Sequence, residues 1–165
     1  MPDSLFLWLE SSSFSVWMRE SPSLLAFPSI LAVHTIGLGL MAGLNAVLDF
    51  CLLGWVREVP SRAFRVYVPL MWVGLWLNVV SGMALLVAYP TKALTNPVFY
   101  AKLSLIAIAL WLFRRVVAGI AAPRDASAAM RWMAIASLIC WTGAIVTGRL
   151  LAYTCTRLTV DSMCD

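Results

Sequence analysis

Four long runs with almost no ionisable side chains constrain this chain more than any other feature of its sequence. The runs cover residues 21–48, 66–91, 93–113 and 132–148. None of them contains Asp or Glu, and the only basic side chains within them are those of His34 and Lys102. A bilayer core of roughly 30 Å is crossed by about 20 apolar residues in a helix, so each run is long enough to span a membrane.

Composition supports lipid as the solvent of these runs. Hydrophobic residues make up 62% of the chain and charged residues 12%, against about 45–50% and about 25% in soluble domains. The runs, with prolines near their ends, predict helices at 26–54, 66–89, 97–118 and 129–153. Short loops favour antiparallel neighbours, so we expect an all-α membrane protein whose four transmembrane helices form an up-down bundle.

The segment before the first run has a different pattern. Trp8 and Trp17 are interleaved with serines and charges, which is typical of an amphipathic helix lying in the membrane interface. Its acidic residues do not fit a cleavable signal peptide, so we expect the membrane segments to direct insertion. The predicted division is an interfacial helix over 1–22, a transmembrane domain over 23–154 and a tail over 155–165.

Basic residues cluster in two of the connecting loops. These are Arg57, Arg62, Arg65, Arg114, Arg115, Arg124 and Arg131. The net charge of +4 therefore indicates membrane orientation rather than a nucleic-acid partner. Because positive loops stay inside, we expect a multi-pass protein of a bacterial inner membrane with both termini in the periplasm. Cys155 and Cys164 in the tail would then be either a disulfide or two free thiols.

Polar residues within membrane helices are costly, so we expect those present to face the bundle interior. His34, Met41 and Asn45 share one stripe of the first helix, and Asp49 follows Asn45 by one turn. A comparable stripe on the second helix consists of Met71, Gly74, Asn78, Ser81, Gly82 and Tyr89.

Three basic residues from three helices fall at similar depth near the outer surface. They are His34, Lys102 and Arg149, with Tyr153 one turn after Arg149. Their convergence in an outer pocket is the main functional prediction from the sequence. For Lys102 and Arg149 the alternative is that each extends to the interface on its own, as long basic side chains readily do.

Several ligands suit such a pocket. A haem b could take His34 as an axial ligand, with Met41, Met71 or Met83, or a partner subunit, as the second ligand. A quinone head group could accept hydrogen bonds from His34, Lys102, Tyr153 or Asn78. An anionic lipid or solute is a third possibility, and a copper site using His34 and Met41 is a fourth. Signatures of common enzyme classes are missing from the sequence.

The order of several short motifs resembles a family of small bacterial inner-membrane proteins that is classified only as a domain of unknown function. The matching stretches are Trp8-Leu9-Glu10-Ser11, Met18-Arg19-Glu20-Ser21, Phe27-Pro28, Val33-His34-Thr35-Ile36-Gly37, Gly43, Leu48-Asp49, Leu53-Gly54, Asn96-Pro97, Phe99, Lys102-Leu103, Thr147-Gly148-Arg149 and Tyr153. The resemblance implies the same fold and points to His34, Lys102 and Arg149. The histidine followed by glycine on the first helix also resembles CopD-type copper-resistance proteins and small haem-binding membrane proteins.

Together these observations predict a non-catalytic membrane subunit that binds a haem or quinone, or docks a redox partner, through a cationic outer pocket. One alternative is a small-solute or copper transport protein with His34, Asn45 and Asp49 along its path. Another is a purely structural subunit. A bundle of four helices leaves little room for a large cofactor, so we expect a homo-oligomer or a larger membrane complex.

Overall fold

The computed structural model describes residues 8–56, 60–120 and 127–153, and every regular element in these residues is helical. The helices are α1 (Ser13–Glu20), α2 (Phe27–Leu53), α3 (Val68–Ala88), α4 (Pro90–Leu94), α5 (Pro97–Ile120) and α6 (Ala128–Tyr153). The predicted bundle of four long helices is confirmed, and each helix ends within two residues of its predicted position. The predicted tail, with Cys155 and Cys164, lies outside the described residues.

Two of the long helices depart from regular α geometry. In α2 a π turn over Gly39–Gly43 separates the α-helical halves Phe27–Leu38 and Leu44–Leu53. A π turn holds more residues than an α turn, so it changes the direction in which the two halves point their side chains. A 3₁₀ segment over Ser61–Tyr67 leads into α3. At the end of α2, Gly54 has a φ of 81°, a conformation that favours glycine and stops the helix.

Four helical stretches are long and apolar enough to cross a membrane. They are Phe27–Leu53, Ala63–Ala88, Pro97–Ile120 and Ala128–Leu151. Large apolar side chains such as Trp76, Val80 and Ile139 are exposed on the outside of the bundle. Helices with an apolar exterior satisfy their backbone groups internally and suit a hydrocarbon solvent, so the chain is a multi-pass membrane protein.

The four long helices form two hairpins, α2 with α3 and α5 with α6. We call the end of the bundle with Phe27 and Tyr153 the terminal end, and the opposite end, with Leu53 and Ala128, the basic-loop end. The hairpins meet mainly where the second half of α2 packs on α6, toward the basic-loop end. The first half of α2 packs mainly on α3, so the two hairpins are more separated toward the terminal end.

A tightly packed apolar core fills the middle of the bundle. It includes Met41, Met71, Phe113 and Trp141, all nearly inaccessible. A second buried cluster lies toward the basic-loop end, around Leu48 and Val116.

The short helix α1 packs against the terminal end of α3. The Ser15 hydroxyl donates to the carbonyl of Ala88 at 3.2 Å, and an Arg19 guanidinium nitrogen lies 3.4 Å from the same oxygen. Carbonyls at the end of a helix have no partner within the helix, so these donors stabilise both elements. The predicted N-terminal helix is present, and its position in the membrane interface stays a prediction.

Candidate ligand-binding site

A cleft of about 400 Å³ lies between the two hairpins at the terminal end. Most of its lining is apolar and comes from all four long helices. The apolar side chains are Phe27, Leu31, Leu85, Leu86, Phe99 and Leu151. The polar side chains in the lining are His34, Tyr89, Lys92 and Lys102. A mostly apolar cavity with a few convergent polar groups is the usual form of a small-molecule site.

His34 is held on the α2 side of the cleft by contacts to α3. Its Nδ1 lies 3.0 Å from the hydroxyl of Ser81. The side-chain amide of Asn78 donates to the backbone carbonyl of His34 at 2.9 Å. Gly82 leaves the space that the ring occupies, because a Cβ there would lie 3.3 Å from Cε1 of the imidazole. The ring is thus fixed from one side by α3.

Lys102 approaches the cleft from the other hairpin. Its side chain lies along Gly148 of α6, where a Cβ would be 3.6 Å from both Cε and Nζ. Lys102 lines the same cleft as His34, but from the opposite hairpin. The cleft therefore combines a fixed imidazole on one wall with a partly buried ammonium on the other.

The other residues predicted for the outer pocket lie elsewhere. Arg149 is exposed and does not line the cleft. Tyr153 is 78% exposed at the end of α6 and does not line it either. Asn78 acts on the cleft indirectly, because its side-chain amide donates to the backbone carbonyl of His34. Met41 is only 1% exposed and belongs to the apolar core. The structure brings together His34 and Lys102, without Arg149 and Tyr153.

A second polar group is buried where the hairpins meet. The side-chain amide of Asn45 donates to a carboxylate oxygen of Asp49 at 2.7 Å and to the hydroxyl of Ser137 at 2.8 Å. All three side chains are at most 1% exposed. Asn45 and Asp49, predicted to share a polar stripe, therefore connect α2 to Ser137 on α6.

Some contributing residues were missed in the sequence analysis. Ser137 is flanked at helical spacing by Ala134, Trp141 and Ala144, which are all buried, and this periodicity could have placed it on an interior face. Lys92 lies in the short helix α4 between α3 and α5, where the sequence alone indicates an ordinary loop residue. Its position in the cleft lining depends on how α4 folds back, and the sequence carries no signal of that.

Metal ligands do not converge in the described part of the chain. In residues 8–56, 60–120 and 127–153, no three side chains of His, Cys, Asp or Glu are grouped as a metal site requires. A donor set of that kind is what most protein metal centres use.

Comparison with known proteins gave no match to a family model, a curated protein or a solved structure. The class of protein is therefore defined by the fold and the site alone. The chain is an all-α, multi-pass membrane protein with a mostly apolar cleft at one end, whose lining includes the basic side chains of His34, Lys92 and Lys102.

Proposed function

We propose that this protein is a non-catalytic subunit of a bacterial inner membrane that binds the head group of a membrane-soluble quinone in its cleft. The observation that carries this proposal is the placement of His34 and Lys102 on opposite walls of one apolar cavity. A quinone has two polar oxygens on a ring and a long apolar tail, and the lining offers polar groups and apolar surface in that combination.

The charge distribution supports a periplasmic position for the cleft. Exposed arginines occupy the basic-loop end, including Arg65, Arg114 and Arg131. Basic loops remain on the cytoplasmic side of a membrane. The terminal end would then face the periplasm, and the cleft would lie in the outer leaflet, where quinones dissolved in the membrane are within reach.

Lys102 is the residue expected to contribute most to binding affinity. An ammonium has only donors, so it pairs with ligand oxygens that accept. In an apolar cleft such a charge-assisted hydrogen bond is stronger than its counterpart in water. Apolar side chains such as Leu85 and Leu151 would pack against the first part of the tail.

Haem is the second candidate, and the contact between His34 and Ser81 favours it. Histidines that bind metals usually donate their other ring N–H to a neighbouring acceptor. The methionines predicted as second ligands are placed differently, because Met41 and Met71 lie in the core and Met83 is 62% exposed. None of the three lines the cleft. A Soret band in the purified protein that is lost in His34→Ala would show that the cleft binds haem and not a quinone.

Transport receives less support from the geometry. His34 lies in the cleft, whereas Asn45 and Asp49 lie where the hairpins pack together. The apolar core around Met41 and Met71 separates them. A path for ions along this stripe would have to cross that core.

Binding of a short-chain quinone tests the proposal directly. Decylubiquinone and its reduced form would be titrated into lipid nanodiscs with and without the protein, so that partition into lipid is subtracted. We expect saturable binding that Lys102→Met weakens about tenfold or more, the loss of one charged hydrogen bond. Arg149→Gln is the matched control, because Arg149 is a cation at similar depth that does not line the cleft. Equal losses in both variants, or no saturable binding of either form, would refute the proposal.

A further inference from the structure

The hydrogen bonds around Ser81 indicate which ring nitrogen of His34 carries the hydrogen. The Ser81 hydroxyl lies 2.6 Å from the carbonyl oxygen of Leu77, a distance typical of a donated O–H···O bond. Serine within a helix commonly donates in this way to the carbonyl four residues earlier. A hydroxyl has one hydrogen, so toward His34 the Ser81 oxygen can only accept. With the Ser81 hydrogen on the Leu77 carbonyl, the contact of 3.0 Å between Ser81 and Nδ1 is a bond donated by the imidazole.

This assignment leaves the other ring nitrogen without a hydrogen. A neutral imidazole carries one N–H, and here it is on Nδ1, so Nε2 presents only a lone pair. A second proton would give the ring a positive charge in the same mostly apolar cleft as the ammonium groups of Lys92 and Lys102, and like charges repel strongly in an apolar setting. The nitrogen on the side of the ring away from Ser81 is thus an acceptor.

We infer that the cleft selects the reduced, hydroxyl-bearing quinol over the oxidised quinone. This inference rests on the proposed function and adds the redox form to it. A quinol donates one hydroxyl hydrogen to Nε2 of His34, and its second oxygen accepts from Lys102. A quinone has carbonyl oxygens in both positions. One of them would face the lone pair of Nε2, which leaves a buried acceptor unpaired and is unfavourable.

Ser81 is a positioning residue in this arrangement, because it acts on the ligand only through the tautomer of His34. Without its hydroxyl the imidazole is free to carry its hydrogen on Nε2, where it would donate to a carbonyl. Ser81→Ala is therefore expected to change the ratio of the two affinities and not simply to weaken binding. A loss of packing alone would lower both affinities and leave their ratio unchanged.

Competition between two forms of one ligand tests the inference. Decylubiquinol and decylubiquinone have the same tail, so their difference in affinity under anaerobic conditions isolates the head group. We expect about tenfold tighter binding of the quinol to the wild-type protein, the effect of one unpaired hydrogen-bonding group. In Ser81→Ala this ratio should fall to about one. In Ser81→Thr, which keeps the hydroxyl, the preference should remain.

The single histidine of the chain allows a direct spectroscopic check. In the full-length protein labelled with ¹⁵N-histidine, the two nitrogen resonances belong to His34 alone and report which nitrogen is protonated. We expect a protonated Nδ1 and an unprotonated Nε2 in the wild-type protein. A protonated Nε2, or equal binding of the two forms, would overturn the redox selectivity while leaving quinone binding intact. Failure to bind either form would overturn the proposed function itself.

Discussion

The backbones of Gly37 on α2 and Gly74 on α3 lie so close together that neither position has room for a side chain. A Cβ on Gly37 would lie 2.7 Å from the Gly74 carbonyl oxygen, and a Cβ on Gly74 would lie 2.9 Å from the Gly37 carbonyl oxygen. Small residues permit this kind of approach between membrane helices. The crossing lies one turn from His34, whose Nδ1 is 3.0 Å from the hydroxyl of Ser81 on α3.

Alanine at this crossing should separate the two helices. Gly74→Ala is expected to lower the free energy of unfolding by about 1–3 kcal/mol, the usual cost of overpacking a tight contact. Quinol binding should weaken as well, because the distance from His34 to Ser81 depends on the crossing. The measurement is unfolding in mixed micelles with increasing denaturing detergent. Gly43→Ala is the control, since a Cβ there has nothing within 4 Å. Equal stability of the two variants would contradict the prediction.

The glycines that border the cleft should respond differently to the same change. In Gly82→Ala the new Cβ would be 3.3 Å from Cε1 of His34, so the ring must shift by a few tenths of an ångström, which disturbs its contact with Ser81. In Gly148→Ala the Cβ would lie at an ordinary contact distance of 3.6 Å from the Lys102 side chain. We expect binding of decylubiquinol to fall several-fold in the first variant and to stay near wild type in the second. A larger loss in Gly148→Ala would argue against a ligand held by His34.

The buried amide of Asn45 should matter for stability more than for binding. Asn45→Ala removes the donor that Asp49 and Ser137 share. The loss is expected to be about 1–3 kcal/mol, because two buried polar groups lose a partner. Asp49→Asn keeps an acceptor oxygen beside Asn45 and should cost less. Both stabilities can be measured by the same detergent titration, with Thr142→Ala on the exposed face of α6 as the control. If Asn45→Ala matched this control, the cluster would contribute nothing to stability.

Orientation in the membrane can be tested with single cysteines in a variant whose native cysteines are replaced. Thr95 is exposed in the α4–α5 connection at the terminal end, and Ser127 is exposed just before α6 at the basic-loop end. In intact cells a membrane-impermeant maleimide should label Thr95→Cys, and it should label Ser127→Cys only after permeabilisation. The positive-inside rule requires this result. The reverse pattern would move the cleft to the cytoplasmic leaflet.

The positions of the long helices could be predicted because lipid imposes a simple requirement, a long run of residues without charge. The arrangement of side chains along α2 could not be predicted in the same way. Regular α spacing places His34 and Asn45 on one stripe, but the π turn over Gly39–Gly43 lies between them. In the structure His34 therefore contacts α3 and Asn45 contacts α6. No residue pattern in this sequence predicts where the helix adopts a π turn.

The site was predicted in part, for a related reason. Lys102 and His34 were expected to converge, and the structure places them in one cleft. Arg149 was expected there too, but it directly follows Gly148, and a helix turns each successive side chain to a new direction. Gly148 faces Lys102, so Arg149 points away from the cleft. Depth along the membrane is readable from the sequence, whereas direction around a helix axis depends on the neighbour it packs against.

The two hairpins diverge only toward the terminal end, and this limits the direction from which a molecule can reach the cleft. The core around Met71 and Phe113 closes the bundle toward the basic-loop end, so a ligand of the proposed kind would enter and leave the cleft on the terminal side alone. Under the proposed function, the protein would bind quinol from that half of the bilayer and not from the other. If the membrane holds quinol at different levels in its two halves, the occupancy of the proposed site would follow the concentration in the nearer half.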